Sequence, residues 1–74
     1  MNLKELRESK GITQGQTAES LGVRQSTICL WERGFRGCSV DVLIKLASVY
    51  GVSLQEIVFA YSKTPKRGAS SGKR

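Results

Sequence analysis

Apolar residues recur along this chain three or four positions apart, and no stretch alternates apolar with polar residues for long enough to form a strand. The pattern divides into five short amphipathic segments, so the expected fold is all-α. Asn2 with Glu5 three residues later forms a capping box for a first helix ending near Lys10, with Leu3 and Leu6 inward and Gly11 as its stop. Ile12 then returns to the core. Thr13 and Gln16 repeat the box for a second helix that carries Ala18 and Leu21 inward and ends at Gly22, after which Val23 turns the chain. A third helix, roughly 25 to 33, buries Ile28 and Trp31 and stops at Gly34. Ser39 caps a fourth, whose inward stripe is expected to be Val40, Leu43, Ile44, Ala47 and Tyr50, closed by Gly51. Ser53 and Glu56 open a fifth with Leu54, Ile57, Val58 and Tyr61. The remainder, SKTPKRGASSGKR, is basic and rich in turn formers, and reads as a disordered tail over 62–74 following a folded domain over 1–61.

Seventy-four residues allow one domain with a marginal core, so a second subunit is expected to cover part of its apolar surface. The opening MNLKELRE has no apolar signal-peptide core, and no run reaches the ~18 apolar residues of a membrane helix, which predicts a cytoplasmic protein with no membrane partner. Cys29 and Cys38 are too few for a disulfide scaffold, and there is no histidine for a zinc site. No cofactor or metal is expected. Neither is catalysis, because no nucleophile is paired with a general base and no glycine-rich phosphate loop is present.

The net charge of +6 is unevenly placed. Residues 1–23 are neutral, with Lys4, Arg7 and Lys10 against Glu5, Glu8 and Glu19. Arg24, Arg33 and Arg36 face a single Glu32, while Lys63, Lys66, Arg67, Lys73 and Arg74 have no acid near them. A local positive excess therefore surrounds the third helix, as a polyanionic partner would require.

Two short helices joined by a tight glycine turn, the second carrying exposed polar and basic residues, form the arrangement that seats a helix in the major groove of DNA. With Ile28 and Trp31 inward, a step of about 100° per residue turns Ser26, Leu30 and Arg33 outward. The leading residues of such a helix meet base edges, which makes Arg24, Gln25 and Ser26 the primary candidates. Arginine donates two hydrogen bonds to guanine, glutamine pairs with adenine, and serine reads either weakly. Leu30 would pack on a thymine methyl group; the alternative is a solitary exposed leucine. Phosphate contacts are expected from Gln14 at the second helix's N-terminus, from Thr27, and from Arg33 and Arg36, and Gly15 would let a DNA strand come close. Against this, Gln14 could be a solvated first-turn residue and the two arginines ordinary surface charges.

The stretch LKELRESKGITQGQTAESLGVRQSTICLWERG, continued by SVDVLIKLASVYGVSLQEI, resembles the lambda-repressor/Cro (XRE) family of helix-turn-helix domains over residues 3–57. The features that carry the likeness are Gln14, Ala18, Gly22 and Val23, then Ile28, Trp31, Glu32 and Gly34, and finally LIKLASVYGVSLQEI. The resemblance implies a five-helix DNA-binding domain and a partly buried ion pair between Arg7 and Glu32. Independently, a glutamate beside Trp31 requires a cation, and Arg7 lies on the inner flank of the first helix. Three residues depart from the family pattern: Thr17 replaces a leucine, Arg24 replaces a serine or threonine N-cap, and Cys38 stands where proline is frequent.

The expected function is that of a sequence-specific double-stranded DNA-binding transcriptional regulator of phage, plasmid or restriction-modification controller type. It would bind a near-palindromic operator as a homodimer through Val58, Phe59 and Tyr61 of the fifth helix, although Phe59 and Tyr61 could instead fold back on their own subunit. An antitoxin that binds both DNA and a toxin protein is the alternative. Redox sensing through Cys29 is a further rival, with a core-edge filler as the plain reading of that thiol.

Overall fold

A computed structural model of the chain describes residues 1–65. They form α1 (Leu3–Ser9), α2 (Gln14–Leu21), α3 (Gln25–Arg33), α4 (Val40–Tyr50) and α5 (Leu54–Ser62), and no strand occurs among them. Reciprocal capping boxes open α1 at Asn2 and Glu5, α2 at Thr13 and Gln16, and α5 at Ser53 and Glu56. Ser39 caps α4 by accepting from the Val42 amide at 3.3 Å. The exception is α3, whose N-cap Arg24 makes no side-chain capping bond.

The first four helices end by one scheme. At Gly22 (φ 70°) and Gly34 (φ 86°) the chain enters the left-handed region that glycine adopts without steric cost. The glycine amide then donates to a carbonyl of the last turn and the following residue reaches one turn back, as Val23 does to Ala18 O at 3.0 Å and Phe35 to Leu30 O at 2.9 Å. Val52 at the end of α4 and Ile12 after α1 close in the same way, and Ile12, Val23 and Val52 pack against the core. Phe35 is the exposed member of the four.

The core has two adjoining parts. One joins Leu3 and Leu6 of α1, Leu43, Leu46, Ala47 and Tyr50 of α4, and Ile57 and Ala60 of α5. The other sets Ala18 of α2 against Ile28 and Trp31 of α3, and Leu21, Cys38 and Val42 pack on both. Each fully buried Leu or Ile contributes about 1.5–3 kcal/mol. Thr17 occupies the α2–α4 contact fully buried, its hydroxyl donating to Thr13 O at 3.2 Å and lying 3.4 Å from the Tyr50 hydroxyl. Burial holds the Tyr50 phenol above its usual pKa, an effect that the Thr17 hydrogen bond offsets in part.

Three sequence-based expectations need correction here. Val40 and Ile44 are 67% and 49% exposed, and Leu46 takes the buried place on α4. The helix is apolar nearly all round, and the stripe centred on Leu43, Leu46, Ala47 and Tyr50 is the one that meets α1 and α5. Leu54, expected in the core, sits exposed in the first turn of α5, and small Ala60 is buried in its stead. The folded unit also runs past residue 61. Thr64 is buried; its hydroxyl accepts from the Leu3 amide and donates to Ala60 O, both at 3.0 Å. The Leu3 amide is one of the donors left without a helical partner at the start of α1, so Thr64 ties the two ends of the domain together. The rest of the basic tail, from Lys66 onward, lies outside the described residues.

Candidate nucleic-acid interface

Helix α2 packs on α3, and α3 holds Ile28, Trp31 and Glu32 against the core. Its opposite face is thereby fixed in solvent. Arg24, Gln25 and Ser26 are exposed at the head of the helix, Arg33 and Arg36 are exposed at and beyond its end, and Thr27, Cys29 and Leu30 are half-buried. The structure thus brings the three primary candidates together on one turn and separates them from the two arginines by the length of the helix. Leu30 is less exposed than its outward angle suggests. The guanidinium of Arg33 lies 5.5 Å from the centre of the Phe35 ring, a cation–π arrangement that sequence reading did not anticipate.

Behind α3 lies a buried ion pair. Arg7 Nε donates to Glu32 Oε2 at 2.6 Å and Arg7 Nη2 to Oε1 at 3.2 Å, with side chains only 8% and 3% exposed. Arg7 Nη1 also donates to Ile12 O at 2.7 Å, which ties the α1–α2 loop to the same guanidinium. The Glu32 hydrogen bond is the main cause of an Arg7 pKa above the usual arginine value, and burial opposes it. Because Glu32 is withdrawn with its own countercharge, the exposed charges of α3 are cationic.

Gln14, a candidate phosphate contact, is half-buried. Its Nε2 donates to Glu32 Oε1 at 3.0 Å, while its Oε1 accepts from Gln25 Nε2 at 3.4 Å. An open cleft beside it is lined by Lys4, Thr13, Gln14, Gly15 and Gln25 among others. Lys4 was not singled out from the sequence, because its nearness to the heads of α2 and α3 depends on how α1 packs. A methyl group added at Gly15 would meet Gln25 Oε1 at 3.7 Å and Thr13 Oγ1 at 3.8 Å, ordinary contacts, so the domain's own packing does not require glycine there.

Elsewhere, Met1, Leu54, Val58 and Phe59 are exposed apolar residues, and the Lys63 ammonium lies 5.0 Å from the Phe59 ring centre. Tyr61 differs from its neighbours: half-buried, it packs on its own core and its hydroxyl accepts from the Cys38 amide at 3.1 Å. Both cysteines are half-buried. Among the described residues, no three His, Cys, Asp or Glu side chains gather to hold a metal, and no single helix is long and apolar enough to cross a membrane.

A buried anchor face, an exposed polar head and flanking arginines on the second of two packed helices define a helix-turn-helix unit. The helix-turn-helix family model matches residues 3–57, and the chain belongs to that family, in its XRE branch. It is 39% identical over 51 residues to the HTH-type transcriptional regulator ImmR of Bacillus subtilis, covering 69% of this chain and 40% of that one. It is 38% identical over 64 residues to the uncharacterized HTH-type transcriptional regulator y4dJ of Sinorhizobium fredii, covering 86% and 83%. Over 56 residues it is 30% identical to the cryptic phage CTXphi transcriptional repressor RstR of Vibrio cholerae, covering 76% of this chain and 50% of that one. No solved structure matches the chain.

Proposed function

We propose that the protein is a sequence-specific regulator of transcription that inserts the head of α3 into the major groove of an operator. The observation that carries this reading is the exposed turn of Arg24, Gln25 and Ser26 held over buried Ile28 and Trp31. Arg24 reads guanine and Gln25 adenine, with Ser26 and Leu30 at the edge of the contact. Phosphates are gripped by Arg33 and Arg36, at and beyond the far end of α3, and by Lys4, Gln14 and Thr27 near its head. The lack of any internal need for glycine at position 15 fits a site where the DNA backbone comes close. Similarity to a phage repressor and to transcriptional regulators supports a regulatory role.

The protein acts as a homodimer, in this reading, with Val58 and Phe59 of α5 supplying the apolar contact and half-sites about 34 Å apart in a near-palindromic operator. Selection of bound duplexes from a random pool would yield that operator. Arg24→Ala or Gln25→Ala is then expected to cost about 1–3 kcal/mol at the selected site and to relax preference at one position of each half-site. Equal losses on selected and random DNA would refute base reading by α3.

A further inference from the structure

Glu32 is too deeply buried to reach DNA, yet two hydrogen bonds connect it to Gln25 at the head of α3. A carboxylate offers only lone pairs, so whatever approaches it must donate. The bidentate grip of Arg7, itself held by Ile12 O, fixes where those lone pairs point. Gln14 must therefore turn its NH2 group toward Glu32 Oε1, 3.0 Å away, and this leaves its carbonyl oxygen on the side of Gln25. Gln25 can meet that oxygen only with its own NH2 group, 3.4 Å away. One amide orientation is thus passed from a buried anion through Gln14 to Gln25. It leaves Gln25 with its carbonyl oxygen and one N–H unspent, the donor and acceptor that pair with N7 and N6 of adenine.

We propose that Glu32 is a specificity-determining positioning residue, which sets the amide orientation of Gln25 through Gln14 and so biases the base that α3 reads. The proposal rests on the reading of α3 as the base-reading helix. It separates Glu32 from a purely architectural role, because an architectural glutamate affects how much protein is folded and not which base pair the folded protein prefers.

The test uses the full chain and measures competition binding to the selected duplex and its single-position variants, with the folded fraction checked by circular dichroism. Glu32→Gln presents an amide that can turn either way, and Gln14→Met breaks the connection, at the loss of one donor to Glu32, while the Arg7–Glu32 ion pair stays in place. Each is expected to lower the preference for the favoured base pair at the Gln25 position roughly three- to tenfold, leaving preferences elsewhere unchanged. In a Gln25→Ala background neither should change preference further, since there is no amide left to orient. Gln14→Met also removes a proposed phosphate contact and so lowers affinity for every duplex, which makes base preference the deciding readout: if Gln14→Met and Glu32→Gln leave the preference at the Gln25 position intact while Gln25→Ala still relaxes it, the positioning role is overturned and base reading by α3 stands. Unchanged preference in Gln25→Ala would overturn both. Should Glu32→Gln fail to fold, Arg7→Met with Glu32→Leu removes the carboxylate together with its countercharge, and an intact preference at the Gln25 position in that variant would overturn the positioning role.

Discussion

Removing the guanidinium of Arg7 should bring this domain close to unfolding. Arg7→Ala would leave the Glu32 carboxylate in a site where its side chain is 3% exposed, with Gln14 Nε2 as its remaining hydrogen-bond donor. Breaking a buried pair from one side costs about 3–5 kcal/mol, because an unpaired charge stays behind. The Ile12 carbonyl loses a donor at the same time. At about 0.05–0.15 kcal/mol per residue, the 65 described residues give a total stability of about 3–10 kcal/mol, so the variant is expected to populate the unfolded state at 25 °C. Urea titration followed by far-ultraviolet circular dichroism and by fluorescence of Trp31, which is buried, would measure the loss. Two features distinguish a buried pair from a surface one. The loss should be nearly the same at low and high salt, and Arg7→Met with Glu32→Leu should recover much of it. The pH dependence follows from the raised Arg7 pKa: stability from the pair is fully present below the usual arginine pKa and is lost only as pH rises through the higher folded value, so Arg7 titration leaves the ordinary range untouched. A loss below about 1 kcal/mol, or one that salt abolishes, would show that the pair behaves as an exposed salt bridge and would refute the reasoning.

Val58→Asp with Phe59→Asp is expected to give a monomer in sedimentation equilibrium with an unchanged melting temperature for the subunit itself, since these residues are 46% and 60% exposed; a variant that remains dimeric would exclude this face. Tyr50 predicts alkaline sensitivity: burial raises its folded pKa, so its contribution is fully present below the unfolded value near 10 and is lost as pH rises through the folded one. Tyr50→Phe should flatten stability against pH above about 10, and an identical slope in both proteins would argue against that origin. Deleting residues 66–74 removes four cations and should reduce the salt dependence of DNA binding by up to about 0.9 in log–log slope per cation engaged, with melting unchanged. Deleting from Ser62 should also destabilise the domain by about 1–3 kcal/mol, because the Leu3 amide loses Thr64; equal melting temperatures for the two truncations would contradict that role.

Most of the fold was readable in advance because its boundaries are chemical. Asn2, Thr13, Ser39 and Ser53 each cap a helix through local hydrogen bonds, and Gly22, Gly34 and Gly51 end helices through backbone angles that other residues rarely adopt. These signals need no knowledge of tertiary packing. The rotation of α4 did need it: VDVLIKLASVY offers two overlapping apolar stripes, and only the positions of α1 and α5 favour Leu46 over Val40 and Ile44. Thr64 was hidden for a related reason, since its partner is 61 residues away and a threonine before a proline looks like the start of a loop. At the candidate interface, the exposed turn of Arg24 to Ser26 followed from helical spacing, and the Arg7–Glu32 pairing was implied by family resemblance. The tie from Glu32 through Gln14 to Gln25 is long-range, and periodicity carries no information about which way an amide turns.

The missing cap at the head of α3 is where stability and function pull apart. Of the five helices, α3 is the one whose N-cap side chain satisfies no backbone amide, and its nine residues include the weak helix formers Thr27, Ile28 and Cys29. A helix this short draws its stability from packing, here through Ile28, Trp31 and Glu32, so the order of its first turn depends on anchors one and two turns downstream. A serine at position 24 would supply the absent hydrogen bond, and the expected gain for Arg24→Ser is about 0.5–1 kcal/mol in urea titration. If Arg24 reads guanine, the same substitution weakens binding at the selected operator by about 1–3 kcal/mol, a change opposite in sign to its effect on folding. That opposition is the informative measurement. A substitution that stabilises the protein and leaves operator affinity intact would mean that Arg24 performs no reading, and the weak cap would then have no functional explanation.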